Sequence, residues 1–120
     1  MKKQIIALWN ALIYSLNGLK DAITTERAFR QEVLLSMALL PMVFLIQAPL
    51  AIKLLLLVCN MMVLVTELLN SSIETIVDMV SPEYSEPARR AKDLGSAAVL
   101  LSLVCLAVAW GWTSVTIIFN

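Results

Sequence analysis

The sequence predicts an all-α integral membrane protein with three spanning helices and an N-terminal amphipathic surface helix. Three observations carry this. Hydrophobic residues make up 60% of the 120 residues and charged residues only 15%, more apolar surface than a single domain of this size can bury, so the excess faces lipid or sister subunits. Apolar runs long enough to cross a bilayer occur three times,. Ahead of them, apolar residues recur at helical spacing among polar ones. The expected organisation is one membrane domain over 1–120, with the surface helix at 1–25. The first span falls at about 29–48, the second at about 54–79 and the third at about 93–118, with a loop at 81–92 between the last two,.

In the N-terminal segment Ile5, Leu8, Trp9, Leu12, Leu16 and Leu19 form one stripe, while Lys3, Asn10, Asn17 and Lys20 lie off it. Such a helix can lie in the membrane interface with Trp9 at headgroup level, or pack on other protein. The interruption of its apolar stretches by polar residues, and the charge persisting to Glu32, do not fit a cleavable signal,. The first span is free of charge from Val33 to Ile52. Pro41 lies within it and is expected to kink it; Pro49 marks its end. A polar break around Gln47–Lys53 forms the turn. The second run continues from Leu54 towards Met79, and the loop after it holds two prolines with Glu83, Glu86, Arg89, Arg90 and Lys92. The third run, Leu94–Phe119, is uncharged, with Trp110 and Trp112 near its far end,.

Lys and Arg set the topology. Lys2, Lys3, Lys20, Arg27 and Arg30 precede the first span, and Arg89, Arg90 and Lys92 lie between the second and third, whereas the remaining turn has only Lys53. The positive-inside rule puts the N-terminus and the long loop in the cytoplasm and the C-terminus outside, in the periplasm of a bacterial inner membrane.

Several function classes are excluded or demoted. Net charge is zero, which argues against a nucleic-acid partner. There is no histidine, so proton chemistry falls to carboxylates, Lys or Tyr. Cys59 and Cys105 sit in apolar runs without metal-ligand spacing and read as small hydrophobes. With only Gly18, Gly95 and Gly111, the chain has no Gly-rich nucleotide loop.

The second span departs from a plain membrane helix. Glu67, Asn70, Ser71, Glu74 and Asp78 recur at steps of three and four, so at about 100° per residue they share one face. Asn60 lies near the same line. At a rise of about 1.5 Å per residue, Glu67 sits roughly 10 Å deeper than Glu74. A carboxylate at that depth costs a few kcal/mol, and apart from Arg30 at the edge of the first, the spans contain no Lys or Arg to neutralise it. One reading is a protonated group holding helices together through hydrogen bonds; the other is a functional face turned to a water-filled or inter-subunit site. Glu26-Arg27-Ala28-Phe29-Arg30-Gln31-Glu32 and Ala91-Lys92-Asp93-Leu94-Gly95-Ser96 share the cytoplasmic end of this stripe. Carboxylate oxygens suit a hard cation such as Mg²⁺, and Lys and Arg suit phosphate. Together they could hold a metal-bound polyphosphate, with Glu67 reaching into the lipid zone. Composition and spacing alone define a functional acidic site at the cytoplasmic interface. An oligomeric proton or cation conductor lined by Glu67, Glu74 and Asp78 is the competing class, though the apolar outer halves of the spans offer no polar path.

The run from Glu67 to Asp78 (Glu-Leu-Leu-Asn-Ser-Ser-Ile-Glu-Thr-Ile-Val-Asp) resembles the signature of the small prokaryotic diacylglycerol kinases. So do Ser81-Pro82-Glu83-Tyr84, the stretch Ala91–Val99, the segment Glu26–Glu32, and Tyr14-Ser15-Leu16-Asn17-Gly18-Leu19. Gly95-Ser96-Ala97-Ala98 looks more like the Gram-negative branch than the undecaprenol kinase branch. The resemblance implies a homotrimeric bundle of three-span subunits that transfers the ATP γ-phosphoryl group to diacylglycerol, giving phosphatidate. Undecaprenol or another lipid alcohol is the alternative acceptor. It implies Glu67 as general base, supported by Asn70 and Asp78, with Glu26 and Glu74 binding Mg²⁺. Tyr14, Glu83, Tyr84, Lys92 and Asp93 would line the nucleotide site together with Glu26 and Glu74. Arg30, Glu32, Ser96 and Trp110, beside Glu67, would lie along the lipid-substrate path. The family usually carries basic residues in the surface helix, one of them at the position of Ala7, and that role has no bearer here.

Overall fold

The computed structural model describes all residues 1–120. Four helices follow one another: α1 (Lys2–Thr25), α2 (Arg27–Leu45), α3 (Leu50–Val80) and α4 (Glu86–Phe119). The last three are long and apolar enough to cross a membrane, and no strand interrupts the pattern.

A single extended residue, Glu26 (φ −102°, ψ 107°), separates α1 from α2. It caps both helices without a side-chain hydrogen bond. The carbonyls left unpaired at the end of α1 are met from the next helix: Arg30 donates through Nη1 to the carbonyls of Ile23 (3.1 Å) and Thr24 (2.9 Å). The guanidinium thereby pins the corner that carries Glu26. The helical backbone of α2 runs through Pro41 to Leu45, although proline removes one hydrogen bond there.

The turn between α2 and α3 is shorter than its polar composition suggests. Pro49 occupies the N-cap of α3, and the helix starts at Leu50, ahead of Lys53. Lys53 reaches back so that Nζ donates to the carbonyl of Phe44 at 3.4 Å, near the end of α2. Its charge therefore serves a helix terminus at the membrane edge.

α4 likewise begins before its apolar run, at Glu86, so the second half of the segment read as loop is helical. Ser85 is the N-cap, its hydroxyl accepting from the Ala88 amide at 3.3 Å, with Pro87 and Glu86 in the first turn. Proline needs no partner for its nitrogen there, and an acidic residue complements the helix dipole. Loss of periodic hydrophobicity marks where this helix leaves the apolar zone, not where it starts. Ser85→Ala is expected to cost about 1 kcal/mol, read as a lower midpoint of thermal unfolding in detergent.

α3 and α4 form the main antiparallel pair. The Thr66 and Ser102 hydroxyls bond across it at 2.9 Å, and Gly95 brings α4 close to Asn70 and Ile73 of α3. Leu56, Val63 and Phe29 are among the few fully buried apolar side chains. Only 13 of 120 residues are buried, so one chain has too little interior to explain its apolar content, and the remainder is surface for lipid or for other copies of the chain.

Candidate functional site

The helical period of α3 places Asn60, Glu67, Asn70, Glu74 and Asp78 down one side of a single rigid element,. Depth then differentiates them. Glu67 is 6% exposed and Asp78 lies exposed near the end of the helix. The carboxylates of Glu32, Glu74 and Glu26 all lie within electrostatic reach of Glu67, so α1–α2 corner, α2 and α3 contribute acid groups to one neighbourhood. No cation joins Glu67 in an ion pair; all three ion pairs of the chain lie further out, around Arg89 and Lys92.

Asn70 sits between the deep and shallow carboxylates. Its Nδ2 donates to Glu74 Oε1 at 3.3 Å. Its Oδ1 is buried without a hydrogen-bond partner.

The end of α3, the connecting loop and the start of α4 enclose a cavity of about 250 Å³ lined by Asp78, Glu83, Tyr84, Arg89, Lys92 and Asp93, among others. Lys92 Nζ pairs with Asp78 Oδ1, bridging the two helices at the cavity, and the Glu74 charge also acts on Lys92. Arg89 is held at both ends: Nη2 lies 2.9 Å from Glu86 Oε2, and Nη1 lies 2.7 Å from Asp93 Oδ2. Tyr84 Oη donates to Glu86. The Glu86 carboxylate on that hydroxyl holds the phenol above its ordinary range, so Tyr84 remains a neutral donor.

A second, larger cleft of about 990 Å³ separates α1 from α3, lined by Ser15, Asp21, Thr25, Glu26, Ser71, Ser72 and Thr75, among others. Glu26 opens into this cleft, whereas Glu74 does not line it. The two carboxylates expected to hold metal thus do not line one cleft within a single chain. No group of three or more acidic or other metal-ligating side chains forms within one chain. The donor set still suits Mg²⁺, which takes one or two carboxylates and completes its shell with water and phosphate oxygens.

The remaining sequence candidates are dispersed. Glu83, Tyr84, Lys92 and Asp93 share the loop cavity with Asp78. Tyr14 lies on the exposed side of α1 and lines neither cavity. Arg30 is bound to the α1 carbonyls, Glu32 is half-buried on α2, and Ser96 is exposed on α4. Trp110 lies towards the opposite end of α4, with its indole N–H buried and unpartnered. Two contributors escaped sequence reasoning. Arg89 is the hub of the loop network, and its spacing from Glu86 and Asp93 is the i,i+3 and i,i+4 ion-pair pattern of a helix, visible only once α4 is started at Ser85. Gly95 faces Asn70, which no local pattern reveals.

Because Lys92 and Asp78 are both substantially exposed, their pairing contributes little to stability. Lys92→Met is expected to leave the unfolding temperature nearly unchanged, which a melting curve in detergent checks.

Three helices long and apolar enough to cross a membrane, an N-terminal helix and a graded acidic face on α3 define a small membrane protein with a polar site at one end of its helices. Comparison with known proteins places the chain in a family. The profile described as prokaryotic diacylglycerol kinase matches residues 13–114, and the chain belongs to that family. It is 41% identical over 105 residues to a diacylglycerol kinase of Haemophilus influenzae, covering 87% of this chain and 88% of the relative. It is 43% identical over 101 residues to one of Pseudomonas aeruginosa, covering 84% and 82%. With one of Escherichia coli it shares 38% identity over 97 residues, covering 81% and 80%.

Proposed function

We propose that this chain transfers the γ-phosphoryl group of ATP to the free hydroxyl of diacylglycerol, giving phosphatidate and ADP, with Glu67 as the general base. The observation that carries this reading is the buried Glu67 carboxylate, deep in a spanning helix, unpaired with any cation and within electrostatic reach of the acidic groups of Glu32, Glu74 and Glu26. The hydroxyl oxygen of the lipid bonds to the γ-phosphorus as the bond from that phosphorus to the β,γ-bridging oxygen breaks. The hydroxyl proton passes to Glu67, and ADP leaves with the bonding pair. Phosphoryl transfer of this kind requires alignment and charge neutralisation more than covalent participation by the protein. Glu26 and Glu74 would hold Mg²⁺, which when bound would neutralise charge on the phosphate oxygens.

The protein's own groups do the rest. Lys92 supplies positive charge towards the nucleotide, and Glu83, Tyr84 and Asp93 line the loop cavity beside it. Tyr14, on the exposed side of α1, belongs to the same nucleotide site. Asn70 orients Glu74, and Asp78 holds Lys92. Arg30, Glu32, Ser96 and Trp110 belong to the path of the lipid. Assembly into a homotrimer covers apolar surface that one chain leaves open and encloses two substrates that one small subunit cannot. The nucleotide end faces the cytoplasm of a bacterial inner membrane, as the distribution of Lys and Arg indicates,, with the C-terminus in the periplasm.

Purified protein in mixed micelles with Mg-ATP and either diacylglycerol or undecaprenol tests the acceptor. Phosphatidate formation well in excess of undecaprenyl phosphate formation is expected; the reverse preference would assign the other lipid alcohol. ATP-independent ion flux into liposomes that disappears on Glu67→Gln, without lipid phosphorylation, would identify a conductor.

A further inference from the structure

Gly95 lies on α4 where it meets the middle of the acidic face. A Cβ added at Gly95 would overlap Asn70 Oδ1, and would also come to 3.4 Å from Asn70 Cγ and 3.5 Å from Ile73 Cδ1. By contrast, a Cβ at Gly18 or Gly111 meets nothing within 4 Å. The conflict is therefore specific to one glycine and one amide.

The orientation of that amide follows from its other end. A carboxylate accepts and does not donate, so Asn70 turns Nδ2 to Glu74 Oε1,. This fixes Oδ1 on the opposite side, towards α4, where it is buried with no conventional donor. The space it occupies exists because residue 95 has no side chain. The hydrogens on the Gly95 Cα offer only a weak C–H···O contact. The Thr66–Ser102 hydrogen bond lies one helical turn from Asn70 along α3, holding the two helices in the register that sets Gly95 against the amide. Glycine in the interior of a helix is unfavourable relative to alanine, so the position carries a local disadvantage that the fit to Asn70 offsets.

We propose that Gly95 is a positioning residue for the phosphoryl-transfer site: it provides the recess for the Asn70 amide, and through that amide it sets the orientation of the Glu74 carboxylate. It touches neither substrate nor metal. The dependence on metal rests on the proposed role of Glu74 as a Mg²⁺ ligand. A β-carbon at residue 95 drives Oδ1 out of its recess, and the amide swings away from Glu74. The carboxylate is then free to adopt other rotamers, and its affinity for the cation falls.

The test is a double-mutant cycle with the full-length protein in micelles, read as phosphatidate formation against Mg²⁺ concentration. Gly95→Ala is expected to raise the Mg²⁺ requirement by roughly tenfold while leaving the diacylglycerol KM nearly unchanged. Gly111→Ala, which meets open space, is the control and should match wild type. Asn70→Ala should raise the Mg²⁺ requirement comparably. Adding Gly95→Ala to it should have no further effect, because the amide that the new methyl group displaces is gone. Thermal unfolding of each variant separates this from a general packing defect. A Gly95→Ala variant with both a wild-type Mg²⁺ requirement and a wild-type turnover rate would overturn the proposal, as would an effect that is undiminished in the Asn70→Ala background. Failure of the metal assignment would look different: Glu74→Gln and Asn70→Ala would both retain the wild-type Mg²⁺ requirement. If Gly95→Ala then still lowered the turnover rate, and did so only when Asn70 was present, Gly95 would still position the amide although Glu74 was not the ligand.

Discussion

Glu67→Gln is expected to lower the turnover of phosphatidate synthesis by about a hundredfold to ten-thousandfold, the range that removal of a general base produces. The substitution preserves shape and hydrogen-bonding capacity and removes the ability to take a proton. Glu67 is buried, without a cationic partner, among other carboxylates. Loss of its charge therefore removes repulsion and desolvation, and the variant should fold at least as well as the parent. The expected pattern is a large fall in kcat with little change in either KM, measured beside an unchanged or raised unfolding temperature. A fall in stability together with activity would instead mark Glu67 as a structural group holding α3 to its neighbours.

Glu74→Gln is expected to be the second most damaging change, through the cation. Losing one of two proposed carboxylate ligands should raise the Mg²⁺ requirement by on the order of a hundredfold, with part of the activity recovered at high Mg²⁺. Recovery distinguishes Glu74 from Glu67, since added metal cannot replace a missing base. The Asn70 hydrogen bond to Glu74 survives with a glutamine side-chain oxygen as acceptor, so local packing should persist. A variant equally inactive at every Mg²⁺ concentration would remove Glu74 from the metal site.

The arrangement of the helices was largely legible from the chain because the bilayer imposes a simple pattern. The charge-free run from Val33 and the one from Leu94 announce α2 and α4, and the polar face from Glu67 to Asp78 stands out because its period matches a helix and its insertion is costly. Helix starts were less legible where charge conceals them. Lys53 looks like part of a turn but lies in the first turn of α3, its amine returned to the Phe44 carbonyl. Arg89 and Lys92 look like loop residues but lie on α4. Contacts between distant segments were not legible at all. Nothing adjacent in sequence shows that Arg30 closes the end of α1, that Thr66 meets Ser102, or that Gly95 leaves room for Asn70. These depend on helix register and crossing, which periodicity does not encode. Depth along α3 was readable from the helical rise, whereas the placement of Glu26 at the cleft between α1 and α3 depends on the single-residue corner it forms.

The surface helix presents a separate consequence. Lys2, Lys3 and Lys20 are its only cations, all of them away from Ala7. In the proposed nucleotide site positive charge then rests more heavily on Lys92, which is why Lys92→Met is expected to act on ATP use more than on stability.

Transfer of label from γ-labelled ATP to diacylglycerol, at saturating concentrations of both substrates and Mg²⁺, most directly tests the central claim that the buried carboxylate on α3 activates a lipid hydroxyl. The wild-type chain should form labelled phosphatidate, and folded Glu67→Gln should form it at no more than about one hundredth of that rate. Labelled phosphatidate from Glu67→Gln at the wild-type rate, or none from folded wild-type protein, would contradict the account.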